Sequence, residues 1–139
     1  MSDNVKRELL WLLPTVLLSM VVLYMLSWQT GWELRPGQEL EIVVHDSYYV
    51  FPFAPVAIYV FTYILMLVYT IRQVLINFSL RKLNMIMLVV YGYVAFANYS
   101  MAHMLPMFQL LFYALMATSI VLAIASVGIL IVRAVKPKY

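Results

Sequence analysis

The chain has 139 residues, of which 65% are hydrophobic and only 11% charged, with a formal net charge of +3 and no cysteine. A soluble fold of this size leaves much of its surface wet and could not hide so much apolar side chain. The missing thiols exclude a disulfide framework, a thiolate metal site and a cysteine nucleophile, and the small basic excess is scattered between apolar runs, which is not a nucleic-acid-binding pattern.

The charges fall in the gaps between long apolar runs, and their sign alternates from gap to gap. Lys6 and Arg7 precede the first run. Glu33, Arg35, Glu39, Glu41 and Asp46 follow it, and Arg81 and Lys82 lie in the next gap. The third gap holds no Lys or Arg, with His103 beside it, and the tail carries Arg133, Lys136 and Lys138. The positive-inside bias then predicts an all-α integral membrane protein of four transmembrane helices with both termini cytoplasmic. The expected setting is a bacterial inner membrane, with 1–139 as a single four-helix domain.

The first span is expected over about 8–29, with Trp11 and Trp28 near its ends, where indole favours the headgroup layer. It is long enough to cross a bilayer and no small-residue cleavage site follows, so it reads as a retained anchor. Pro14 falls in its first turns, where a missing N–H does least harm. The outer loop, 30–54, opens on Arg35-Pro36-Gly37 and continues into β-branched and aromatic residues, which predicts an extended segment or a short hairpin. The second span runs about 55–77, with Pro55 in its first turn. Arg72 near its inner end is expected to snorkel to the headgroups, with a buried functional cation as the alternative. A short connection makes the second and third spans antiparallel neighbours. The third covers about 83–104 and is broken by Pro106, and the fourth covers about 107–132. Ser119 with Ala123, Ala114 with Thr118, and Gly92 with Ala95 are small residues that let helices approach closely.

Chemistry-bearing residues are few. Apart from Glu8 at the edge of the first span, the carboxylates lie outside the spans, which counts against a proton-driven carrier. No phosphate loop and no nucleophile–base pairing is visible. His45, Asp46, Glu41 and His103 are expected on the same outer side. Imidazole with carboxylate either holds a divalent cation or serves only interfacial hydrogen bonding. Tyr59, Thr62, Tyr63, Tyr69, Tyr91, Tyr93, Asn98 and Tyr99 are the interior-facing polar candidates of spans two and three. They supply either interhelical hydrogen bonds or the lining of a polar path or quinone pocket.

The segment Glu41-Ile-Val-Val-His-Asp-Ser-Tyr-Tyr-Val-Phe resembles subunit I of the haem–copper (cytochrome c or quinol) oxidases. There a His-Asp-Thr-Tyr-Tyr-Val-Val-Ala stretch at the outer face leads into an inward-running helix and on to His-Phe-His, which ligates the haem irons. In this chain the ligand positions fall on Phe53 and Pro55, neither of which can bind iron. The copper-site histidines and the paired propionate-binding arginines have no counterpart. What the resemblance carries over is His45 and Asp46, which in that family help to hold a magnesium ion. It therefore implies a non-catalytic relative of subunit I, an accessory or structural subunit of a respiratory membrane complex. No resident cofactor is expected, haem included, although a magnesium ion fits His45 and Asp46 with Glu41 or His103 in support. The partners expected are the lipid bilayer and other membrane subunits or further copies of the chain, and no nucleic acid. A homo-oligomeric small channel or carrier is the alternative, and a haem- or quinone-binding redox protein the second alternative.

Overall fold

Four helices, each long and apolar enough to cross a membrane, make up most of the chain in the computed structural model. The structure describes residues 3–31, 33, 35, 37–44, 46–76 and 81–135. They form α1 (Asp3–Thr30), β1 (Glu39–Val44), β2 (Ser47–Pro52), α2 (Phe53–Leu75), α3 (Arg81–Met104) and α4 (Gln109–Val135). A single 3₁₀ turn, Pro106–Phe108, joins α3 to α4. The chain divides into two compact units, Met1–Val68 and Tyr69–Tyr139.

In the first unit α1 starts a full turn earlier than expected, at Asp3. Pro14 is therefore interior rather than in the first turns, and the carbonyl of Leu10 loses its usual N–H partner. The hydroxyls around it turn back on the helix. Thr15 Oγ1 donates to the Trp11 carbonyl at 3.0 Å and Ser19 Oγ to the Thr15 carbonyl at 2.7 Å. A membrane interior offers no water to such groups, so local carbonyls are the available acceptors. Thr15 and Ser19 are also the buried residues of this helix.

The extended segment after α1 is an antiparallel hairpin in which Glu39 pairs with Pro52 and Val44 with Ser47. Period-two alternation separates its faces. Leu40 and Phe51, directly opposite each other, are buried, whereas Val43, Tyr48 and Val50 on the other face are exposed. β1 lies against α1. Gly31 and Gly37 have φ of 68° and 88° on the approach to the hairpin, a region that residues with a Cβ enter at a cost. β2 runs directly into α2, where Val56, Val60 and Met66 are buried.

The second unit is dominated by the packing of α3 against α4. On α3 the buried residues are Leu83, Asn84, Met87, Tyr91, Val94, Asn98 and Ala102. From Asn84 onward they recur every three or four residues, which draws one stripe down a helix. α4 answers with Ser119 and Ser126, both buried and seven apart. Side chains this small let two backbones come close. Gly92, expected in such a contact, is instead exposed, and a Cβ there would meet nothing within 4 Å. It neighbours Tyr91, which faces inward, and so is rotated off the buried stripe.

Candidate functional site

The end of α2 and the facing halves of α3 and α4 bring together polar side chains that the sequence keeps apart. Gln73 lies on α2, Asn84 and Tyr91 seven residues apart on α3, and Ser126 on α4. Spacing of seven returns to the same helix face after two turns, so Asn84 and Tyr91 point the same way. Gln73 Nε2 donates to Asn84 Oδ1 at 2.9 Å, and Tyr91 Oη donates to Gln73 Oε1 at 2.7 Å. Thr70 Oγ1 lies 2.8 Å from Tyr91 Oη. A phenol has one proton to give, so with that proton on Gln73, Thr70 is the donor to Tyr91. Ser126 is a further hydrogen-bond partner of the same phenol.

The result is a continuous chain of hydrogen bonds from Thr70 through Tyr91 and Gln73 to Asn84. Gln73, Asn84 and Tyr91 are 0, 1 and 1% exposed. Tyr91 lies roughly 15 Å along α3 from Arg81 at 1.5 Å per residue, so the chain reaches well into the helix. It contains no carboxylate, imidazole or ammonium. What it can do is satisfy the polar groups of three helical segments mutually and fix their register, as buried polar residues do when each has its partner.

Arg72 corrects an expectation. Its side chain is 3% exposed and does not extend outward, and its guanidinium carbon stands 5.5 Å from the centre of the Tyr69 ring. A cation over an aromatic face gains from the ring quadrupole, which offsets part of the cost of burial. Three residues along one helix place the two side chains on the same face.

Of the residues singled out for metal binding, His45 lies outside the described residues. Asp46 forms the turn between β1 and β2 and is exposed. Glu41 is exposed on β1 and its carboxylate accepts a hydrogen bond from Tyr48, a diagonal neighbour on the same hairpin face. That contact holds the Tyr48 phenol above its ordinary pKa, with a further push in the same direction from desolvation and from the charges of Glu41 and Glu39. His103 closes α3, where its Nδ1 lies 3.0 Å from the Tyr99 carbonyl. A carbonyl only accepts, so Nδ1 carries the proton there. The His103 ring sits 4.4 Å from the Tyr99 ring and meets the Tyr113 ring edge-on at 6.4 Å. Among the described residues no group of three or more His, Asp or Glu is close enough to hold a metal ion.

No family model, curated protein or solved structure matches the chain.

The interior-facing polar candidates divide sharply. Tyr69, Tyr91 and Asn98 are buried, Tyr59, Thr62 and Tyr63 are half-buried, and Tyr93 and Tyr99 are exposed. Asn98 Nδ2 donates to the Val94 carbonyl of its own helix at 2.8 Å. Gln73, Asn84, Thr70 and Ser126 were not among the candidates. The available signal was Asn84 and Tyr91 at a spacing of seven, with Gln73 just across the short connection between helices.

Proposed function

We propose that the chain is a non-catalytic integral membrane protein that serves as an accessory or structural subunit of a respiratory-type membrane complex. In this reading it is a relative of haem–copper oxidase subunit I reduced to its outer hairpin and flanking helices. One observation carries the proposal. β2 passes without a break into α2, and the first turn of that helix holds Phe53 and Pro55, the positions at which the oxidase segment supplies its haem ligands. Apolar side chains at that junction can pack against a neighbouring subunit but cannot grip iron.

The exposed faces of the helices support the same reading. In the most apolar stretches of α1 and of the helical run from Pro106 to Val135, only 11% of residues are buried within the chain. Lipid or neighbouring subunits are the natural cover for such surfaces. The buried polar chain on Tyr91 favours a structural role over a conducting one, because its members hydrogen-bond to one another across three helical segments. In the proposed orientation both termini face the cytoplasm of a bacterial inner membrane and the hairpin faces outward, and the Lys and Arg distribution supports that sidedness.

Extraction in mild detergent followed by affinity capture of the full chain tests this. The expected result is stoichiometric co-purification of other membrane subunits. Recovery solely as a free chain or a homo-oligomer overturns the proposal and favours the channel or carrier. A visible spectrum of the purified chain with a Soret band lost in His103→Ala or His45→Ala would favour the redox reading instead.

A further inference from the structure

The outer edge of β2 is open. Phe53 N–H donates to the Gln38 carbonyl at 3.1 Å, and opposed residues in an antiparallel pair alternate between bonded and non-bonded. Ser47, Tyr49 and Phe51 therefore direct their backbone groups at β1, while those of Tyr48, Val50 and Pro52 point away from it. Pro52 falls where an N–H would face outward, which is where an edge strand tolerates proline. The Tyr48 and Val50 N–H groups and the Tyr48, Val50 and Pro52 carbonyls have no hydrogen-bond partner among the described residues. Open edges are commonly protected by charge. β1 has that protection, with Glu39 and Glu41 along it and α1 against it. β2 reads Ser-Tyr-Tyr-Val-Phe-Pro and carries no charge at all.

We propose that β2 pairs edge to edge with β2 of a second copy, antiparallel and centred on Val50, so that the two hairpins form one continuous sheet. In that register Val50 exchanges both bonds with its counterpart, and Tyr48 N–H donates to the Pro52 carbonyl of the second copy. Every free N–H on the two edges then has an acceptor. Side-chain alternation agrees with the backbone. Val50 meets Val50 and Tyr48 meets Pro52, all on the exposed face, so the contact covers apolar surface. The two-fold axis stands perpendicular to the sheet, which keeps the buried Leu40 and Phe51 on one side in both copies. The same operation at β1 would set Glu41 against Glu41, and like charges directly opposite each other are destabilising. This self-complementarity selects a second copy over a strand of another protein, since a two-fold contact uses one patch twice. Two chains held in one bilayer also lose less freedom on meeting than two in solution. The contact uses no helix face and is independent of the accessory-subunit reading.

The chain contains no cysteine, so single replacements report the pairing in native membranes. Bonded partners of an antiparallel pair stand about 5.5 Å apart at Cα, within disulfide reach. On mild oxidation Val50→Cys should form a disulfide-linked dimer at least about tenfold faster than Val43→Cys, which lies on the far strand. Sizing of the unmodified chain in mild detergent should count two copies. Val50→Lys should reduce that to one, as should Val50→Glu. The Lys and Glu variants co-expressed should pair with each other, which a mere loss of folding would not allow. Val43→Lys should leave the dimer intact. Equal rates for Val50→Cys and Val43→Cys overturn the proposal, as does a single copy in the wild type or a dimer that survives Val50→Lys. Failure of the Lys and Glu variants to pair overturns it too. A Val50→Cys adduct with a different protein in place of the dimer overturns it in favour of a foreign strand.

Discussion

Gln73 carries more of the second unit than its place near the end of a helix suggests. It donates to Asn84 with one end of its amide and accepts from Tyr91 with the other. Gln73→Leu should remove both of these contacts and cost about 1 kcal/mol, the scale of interhelical hydrogen bonds in membranes. Asn84→Leu should cost a similar amount, and the double variant should cost less than the sum by about 0.5 kcal/mol because the two residues share one interaction. Reversible unfolding in mixed micelles would measure this cycle, and strictly additive losses would show the two side chains to be independent. Tyr48 offers a contrasting case at the surface. The Glu41 carboxylate accepts its hydrogen bond and raises its pKa. The fold thus favours the protonated phenol. Its contribution is full below the unfolded pKa, near 10.0, and is lost as pH rises through the higher folded value. Site-labelled NMR titration of Tyr48 should show its pKa falling back toward 10.0 in Glu41→Gln.

Helices that pack through serine are sensitive to volume. Ser119 and Ser126 are buried on the face of α4 that meets α3, and Ser119 Oγ bonds back to the Leu115 carbonyl at 3.0 Å. Replacing either by leucine should separate α3 from α4 and destabilise the second unit by about 1–3 kcal/mol, the usual cost of overfilling a packed core. Ser119→Ala should be far milder, since that hydroxyl bonds back to the Leu115 carbonyl of its own helix. A melting series in detergent separates the two outcomes. The hairpin has a different weak point. At Gly37, φ is 88° with open space around the missing Cβ. Gly37→Ala therefore meets backbone strain alone, expected at about 1–2 kcal/mol, and should show as faster amide exchange across β1 and β2.

At the scale of the whole molecule, the apolar helix surfaces decide the behaviour. All four helices carry stretches with mean hydropathy of 1.5 or more, and large side chains such as Leu10, Trp28, Val89 and Leu110 are strongly exposed. Water would not tolerate that surface. Alkaline carbonate washing of membranes should leave the chain in the pellet, and its appearance in the supernatant would refute the membrane assignment. Capture from mild detergent then asks the further question of who its neighbours are.

The number of helices was legible in the sequence because hydrophobic runs of bilayer length, broken by charge, have no other comfortable solution. The extended character of the segment after α1 was legible too, because β-branched and aromatic residues between Gly37 and Phe53 fit a pleated strand, whereas its pairing into a hairpin was only one of the two forms the residues allowed. Helix ends were less so: α1 begins at Asp3, since charged residues extend a helix past the lipid without any change in apolar pattern. The candidate polar chain was hidden for a physical reason. Tyr91 and Tyr93 are alike as residues, and only rotation about α3 buries one and exposes the other. Which hydroxyl meets which amide depends on three helical segments meeting in space. Composition and spacing determined that the chain belongs in lipid, while the tertiary structure alone decided where its few polar groups find one another, because hydrogen bonds reach only about 3 Å and sequence distance says nothing about that separation.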